Sequence, residues 1–351
     1  MRTEYLPTLG SLPLASIRRV HIQKITDDMA SRGLSVKTIR KYHSQIATVF
    51  GEALRLEMIP SSPCDRIRFP KQIKVNEIRV FTRVQALIFL EIARLGVTVY
   101  YPETVRSNGR KLPAHSETVG GNFMLYLMFN LALNSGMRRG ELCGLTWKNV
   151  NFRKNQITIV ESASKAKSKN GFFLKEPKTA SSARTITIPK SVMDELQQWK
   201  LLQNDIRKQL GTAWNGAAKP ENQLVFTAQD GSGMDLNYPV RYMHRLITAY
   251  NGTVSESEQL PNLDLHELRH SHATLLLEAG VPISEISRRL GHVDIYITLS
   301  TYAHWLPEND KKASDAIAQV FSNQPDSETA NNWNEFGTKR DATERNVTQR
   351  S

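Results

Sequence analysis

The sequence predicts a mainly α-helical chain with a small antiparallel β-sheet, divided into two units and a tail. Three observations predict it. Apolar residues recur at three- and four-residue steps over most of the chain, which is the helical period. Between Ile157 and Pro189 the period changes to short β-branched or aromatic runs separated by Lys-, Ser- and Gly-rich turns, which is the pattern of short strands. Near residue 75 a stretch punctuated by Pro60, Pro63 and Pro70 passes into the charged run KQIKVNEIR, which reads as a linker.

In chain order, Ser35 is placed to cap a helix whose apolar stripe is Ile39, Tyr42, Ile46, Val49, Phe50 and Ala53. Its other face carries Lys37, Arg40, Lys41 and Arg55, either a solvated surface or a set of phosphate contacts. Thr82 caps the next helix, which runs to about Leu95. VTVYYPETVRSNGRKLPAHSETVGG is too polar and too rich in Pro and Gly to continue it and reads as a surface excursion. The apolar run from Phe123 forms a buried helix up to Gly136, and a short helix holds Arg138 to Leu145. ITIV, GFFLKE and RTITIP supply the sheet. Ser191 caps a helix to about Leu210, LVFT reads as one more short strand, and helices follow at 236–250, 266–279, 282–290 and 311–321. After Phe321 no apolar period remains, so a disordered tail is expected over 323–351.

The 351 residues carry 46 Lys and Arg against 34 Asp and Glu, a formal net charge of +12, which favours a polyanionic partner. Nucleic acid fits better than a membrane surface. There is no basic amphipathic helix with an aromatic face, and the longest apolar run, Phe123 to Leu133, is too short to span a bilayer. Two cysteines, Cys64 and Cys143, make no disulfide framework and no zinc spacing. MRTEYLPTLG lacks the apolar core of a signal peptide, so the expected location is cytoplasmic, with the nucleoid.

Four segments carry the chemistry: GMRRGEL at 136–142, EPKTASSARTITIP with Lys178, HELRHSHAT at 266–274 and LGHVDIYITLSTYAH at 290–304. At these residues and spacings the chain resembles the tyrosine recombinases, the integrases of phages and conjugative transposons. The resemblance implies a partial helical core DNA-binding domain over 1–75 and a DNA breaking-rejoining catalytic domain over 76–322. By the same resemblance, the helix that normally begins the first domain, and any arm-binding domain, would be absent. The implied activity is site-specific recombination through a covalent 3′-phosphotyrosine, integrating or excising a mobile element or prophage without metal, cofactor or ATP.

The same resemblance implies the site. Arg138 and Arg269 would clamp the scissile phosphate, Lys178 and His266 would handle protons, His292 would hydrogen-bond the phosphate and Tyr302 would attack it. Elementary chemistry agrees: in-line attack on a phosphodiester builds charge on its non-bridging oxygens, which guanidinium forks match. Lys178 suits protonation of the leaving 5′ oxygen, and His266 is the expected base for the Tyr302 phenol, whose ordinary pKa is about 10. The implied partners are double-stranded attachment sites, three further copies in a homotetramer on DNA, and an excisionase or host DNA-bending protein. Residues 311–321 would dock either on a neighbouring subunit or on their own core.

Each assignment has a rival. Arg139 beside Arg138 reads as a solvated charge, and Lys165, Lys167, Lys169 and Lys175 compete with Lys178. His270 shares a helix face with His266 and reads as a structural histidine, and Tyr296 is the rival nucleophile. HELRH also satisfies the HExxH pattern of zinc proteases. Ala273 and Leu276 stand where the extended zinc motif needs Gly and His, and a metal site leaves Arg138, Lys178 and His292 without a role. The functional alternative is a catalytically impaired DNA-binding relic or accessory protein.

Overall fold

The computed structural model describes residues 2–71, 78–105, 111–165, 172–175, 183–302, 305, 314–315 and 317–318. They fall into two compact units, Met1–Glu77 and Ile78–Ser351. The first contains α1 (Arg2–Leu9), α2 (Arg19–Ser31) and α3 (Val36–Arg55). Ser35 caps α3 by accepting the Thr38 amide, and Ile39, Ile46, Phe50 and Ala53 form its buried line. Val49 is 47% exposed because it lies a hundred degrees round the helix from Phe50. Tyr5, Ile22, Ile25 and Met29 complete this core from α1 and α2, two helices whose weak apolar periods gave no sequence signal. Gln23 ties the following chain down, its side chain both donating to and accepting from the backbone of Arg68.

The second unit begins with α4 (Arg83–Leu95), where Thr82 and Gln85 exchange side-chain bonds to each other's backbone amides. The surface excursion is not irregular. It forms β1 (Val97–Tyr101), β2 (Thr104–Val105), β3 (Lys111–Leu112) and β4 (His115–Val119), two nested antiparallel pairs with Val97 opposite Val119. Its side chains are largely exposed, so no alternating apolar pattern marked it in the sequence.

Next come α5 (Phe123–Ser135) and α6 (Arg139–Cys143). Leu125, Leu127, Phe129 and Leu131 of α5 are completely buried, each stabilising the unit by about 1.5–3 kcal/mol. This helix is the central post, packed by α4, α7 (Lys190–Leu210) and α9 (Leu265–Glu278). The strands β5 (Val150–Asn151), β6 (Gln156–Ile159) and β9 (Arg184–Thr187) form an antiparallel sheet in the order β5-β6-β9. A separate hairpin pairs β7 (Ser162–Lys165) with β8 (Phe172–Lys175). Thus the expected small sheet is split in two.

Two local expectations fail. LVFT makes only an isolated bridge, Thr146 to Leu224. Side chains of α7 occupy its backbone instead: Trp199 Nε1 donates to Val225 O at 2.7 Å and Gln203 Nε2 to Leu224 O at 3.1 Å. The N-cap of α7 is Pro189 rather than Ser191, since its fixed φ leads directly into the first turn. The chain then adds α8 (Tyr238–Asn251), α10 (Ile283–Leu290) and α11 (Ile295–Tyr302). The last was not anticipated because its apolar residues are exposed on several sides. Of the helix expected at 311–321, only 314–315 and 317–318 are described, and these are helical. The tail 323–351 lies outside the described residues.

Candidate active site

The site assembles where α5 ends and α9 passes it. Gly136 terminates α5 in the left-handed region at φ 65°. A Cβ there would stand 2.6 Å from His272 Cδ2 and 2.7 Å from Leu290, so both conformation and space require glycine. The turn delivers Arg138 to the N-cap of α6. Its backbone amide donates to Glu141 Oε2 at 2.8 Å, and its Nη1 donates to Oε1 at 2.9 Å. Glu141 is shared: Arg184, from β9, donates Nη1 and Nη2 to the same two oxygens at 3.0 and 2.8 Å. Burial alone would raise this carboxyl, but the bonds from Arg184 and the charges of Arg184 and Arg138 hold it at about 2. It therefore stays ionised and fixes both guanidiniums.

Arg269 on α9 is 2% exposed. Its Nη1 donates to Gly136 O at 2.6 Å and its Nη2 to Leu290 O at 2.7 Å. These are carbonyls at the C-terminal ends of α5 and α10, where helix dipoles place partial negative charge. One side chain thereby pins together the turn before Arg138 and the turn before His292. Gly291 takes up the second turn at φ 67°, and its carbonyl accepts from Arg138 Nη2 at 3.4 Å. His292 Nδ1 lies 2.6 Å from Thr298 Oγ1 on α11. Burial, then the charges of Arg269, Arg138 and Arg184, push His292 down to about 4. It is neutral at pH 7 in a strongly positive recess.

Tyr302 occupies the last turn of α11, with 1% of its surface exposed. Its Oη is 2.6 Å from His270 Nδ1, and its ring packs against Trp305. Burial pushes the phenol up to about 12, while the Arg269 charge pulls the other way. His266, one turn before His270, is exposed; its ring meets the edge of His270 with centroids 4.8 Å apart. Together with Arg138, Gly140, Ser162 and Asp264 it lines an open cleft of about 390 Å³. Arg138, His266, Arg269, His292 and Tyr302 are thus brought to one region of the second unit. Lys178 lies outside the described residues, three positions after β8 ends at Lys175.

The rivals separate on their contacts. Arg139 is exposed and bonds Asn237, whereas Tyr296 is 66% exposed on the outer face of α11. Glu267 of the HELRH segment accepts the Asp264 amide in the cap of α9 and faces Arg79, while His270 faces Tyr302.

Four supporting residues were given no role by the sequence. His272 is the buried brace behind Gly136: its Nδ1 lies 2.7 Å from Leu133 O and its Nε2 accepts from Arg289 Nε at 3.2 Å. Arg289 also donates to the carbonyls of Asn134 and Thr187, joining α5 to β9. Arg184 could have been suspected as the cation inside RTITIP, and Glu141 as the carboxylate three residues after Arg138. For His272 and Arg289, local sequence gives no signal because their partners are backbone carbonyls far along the chain.

Residues 107–309 match the family model described as the phage integrase family. The chain is 26% identical over 324 residues to a tyrosine recombinase XerC-like protein of Caldanaerobacter subterraneus subsp. tengcongensis, covering 89% of this chain and 74% of that one. It is 22% identical over 312 residues to the ICEBs1 integrase of Bacillus subtilis, covering 88% and 73%. In fold it is similar to the Tn1549 transposon integrase solved with a circular intermediate DNA, at a TM-score of 0.65 and 23% identity, covering 90% of this chain and 88% of that chain.

Proposed function

This chain belongs to the phage integrase family, and on that premise we propose that it recombines DNA at specific sites with Tyr302 as its nucleophile. In this reading Arg138 and Arg269 hold the non-bridging oxygens of the scissile phosphate and offset the charge that builds there in the transition state. His292 and His266 add hydrogen bonds from either side, and Lys178 protonates the leaving 5′ oxygen. Tyr302 Oη forms the bond to phosphorus as the bond to the 5′ oxygen breaks. The resulting 3′-phosphotyrosine stores the bond energy, so a 5′ hydroxyl from a second strand can reverse the step.

The observation that carries this reading is the position of Arg269. Its two hydrogen bonds fix the backbone just before Arg138 and just before His292, so one buried cation organises the anion-binding set. The relic that binds DNA without cutting it is not favoured, since relatives named recombinase and integrase align along most of the chain.

The partner would be duplex DNA, in keeping with the +12 charge; the Tn1549 integrase of similar fold was solved with a circular intermediate DNA. The first unit, with Lys37, Arg40 and Lys41 exposed along α3, would contribute phosphate contacts as a core DNA-binding domain. Two duplexes with two breaks each call for four protomers, with an excisionase or DNA-bending protein choosing direction. No helix of the described residues is long and apolar enough to cross a membrane; work on DNA would place the chain in the cytoplasm with the nucleoid.

The test is a nicked duplex carrying the sequence that flanks this chain's gene. Cleavage a few nucleotides from the nick frees the short fragment that carries the new 5′ hydroxyl, and its loss traps a protein–DNA adduct that survives denaturation. Wild type forms the adduct and Tyr302→Phe does not. Equal adduct from both overturns the assignment of Tyr302.

A further inference from the structure

A phenol cannot attack phosphorus without giving up its proton, and His266, the expected acceptor, is not the group Tyr302 meets. His270 Nδ1 is, at 2.6 Å. Building on the proposed role of Tyr302, we infer that His270 holds the Tyr302 hydroxyl and receives its proton as Oη bonds to phosphorus.

The geometry supports this in three ways. First, the bond has a direction. A phenol is a far better donor than acceptor, so Oη donates to Nδ1 and the imidazole carries its own proton on Nε2. Second, the pair is prearranged by two rigid elements. His270 stands on α9, one residue from the Arg269 anchor, and Tyr302 ends α11, where its ring is fixed between His270 and Trp305. Third, the charges around His270 are those a substrate would change. Facing it are His266 and Arg269 on α9, Asp264 at its cap, Tyr302 on α11 and His292 on the intervening turn. Burial, then the proximity of His266 and Arg269, push His270 down to about 4, so in the free protein it is a neutral, weak base. A phosphate anion seated on the arginines cancels much of that positive field, raising the basicity of His270 as the nucleophile is needed. His266 remains on the cleft wall, with its ring against the edge of His270.

The step balances. The Oη–P bond forms, the P–O5′ bond breaks, the phenol proton passes to His270 Nδ1, and the departing 5′ oxygen takes a proton from a separate acid, Lys178 in the reading above. On rejoining, the 5′ hydroxyl attacks phosphorus and gives its proton back to that acid, the Oη–P bond breaks, and Oη recovers its proton from His270.

The experiment uses full chain and the nicked duplex described above, made with an ordinary phosphate and with a 5′-bridging sulfur at the scissile position. A thiolate leaves without protonation, so sulfur relieves loss of the acid but not loss of the base. His270→Asn places an amide oxygen where Nδ1 stands, keeping a hydrogen-bond acceptor that cannot take the proton. It should cleave about 10²-fold more slowly than wild type on both substrates, a typical loss for a general base, with DNA binding unchanged. Lys178→Ala should be slow on the oxygen substrate and recover on sulfur. A fluorinated tyrosine in place of Tyr302, whose phenol is more acidic, should accelerate His270→Asn at least several-fold more than wild type. Wild-type rates for His270→Asn, or equal acceleration of both proteins by the fluorinated residue, overturn the role of His270. Adduct formation by Tyr302→Phe would instead overturn the nucleophile on which that role rests.

Discussion

At the scale of single residues, the site is held by groups whose partners lie far along the chain. Glu141 and Arg184 bury their charges against each other, each side chain only 7% exposed. Glu141→Gln leaves the Arg184 guanidinium without a counter-charge, and removing one member of a buried pair costs about 3–5 kcal/mol. A urea titration should show that loss, and strand cleavage should fall with it because Arg138 is released. A stability within experimental error of wild type would refute the shared-carboxylate account. Gly136→Ala should be equally harmful by another route, forcing a Cβ against His272 at a positive φ. Here the sequence was partly legible. Arg138, His266, Arg269, His292 and Tyr302 could be nominated from their motifs, but His272 and Arg289 could not, since their partners are distant along the chain and nothing local distinguishes a buried bracing side chain from a solvated one. His270 was read as structural; its bond to Tyr302 depends on how α11 returns to α9, which spacing does not encode.

At the scale of elements, α9 is the piece that matters most, since His266, Arg269, His270 and His272 share its first two turns. Asp264 caps it, accepting the amides of His266 and Glu267 at 2.6 and 3.1 Å, while Glu267 returns a bond to the Asp264 amide at 2.8 Å. Asp264→Ala should cost about 1 kcal/mol of stability. Fraying of this end should also reduce cleavage more than DNA binding, which parallel rate and binding measurements would check. Helices with one apolar stripe, such as α3 and α4, and the wholly apolar α5 were legible because burial is written into their periodicity. The hairpin from β1 to β4 and the helix α11 were not. Both expose much of their apolar surface, and α1 and α2 are short segments whose burial depends on one another.

At the scale of the molecule, several site groups titrate together. His272 is pushed down to about 4, mainly by burial and then by Arg289, against 6.5 for an ordinary histidine. Between those values the unfolded chain binds the proton and the folded chain refuses it, so stability falls as pH drops from about 6.5 to about 4, by roughly 3 kcal/mol for this residue. His270 and His292 act in the same direction and window. Glu141, held at about 2 rather than 4.5, extends the loss from about pH 4.5 downward. Denaturant midpoints should therefore decline steadily below neutrality; a flat profile from pH 7 to 4 would contradict the buried neutral histidines. DNA affinity should fall steeply with salt, as phosphate contacts require. The basic charge was legible because it is a property of composition, whereas the path that brings four distant segments together is a property of the fold.

The central claim is that Tyr302 becomes covalently joined to DNA. The most direct measurement is to trap the adduct on a nicked duplex, digest protein and DNA, and locate the modified residue by mass spectrometry. The account predicts a 3′-phosphonucleotide on the peptide containing Tyr302. The same group on Tyr296, on a serine, or on no residue at all would contradict it.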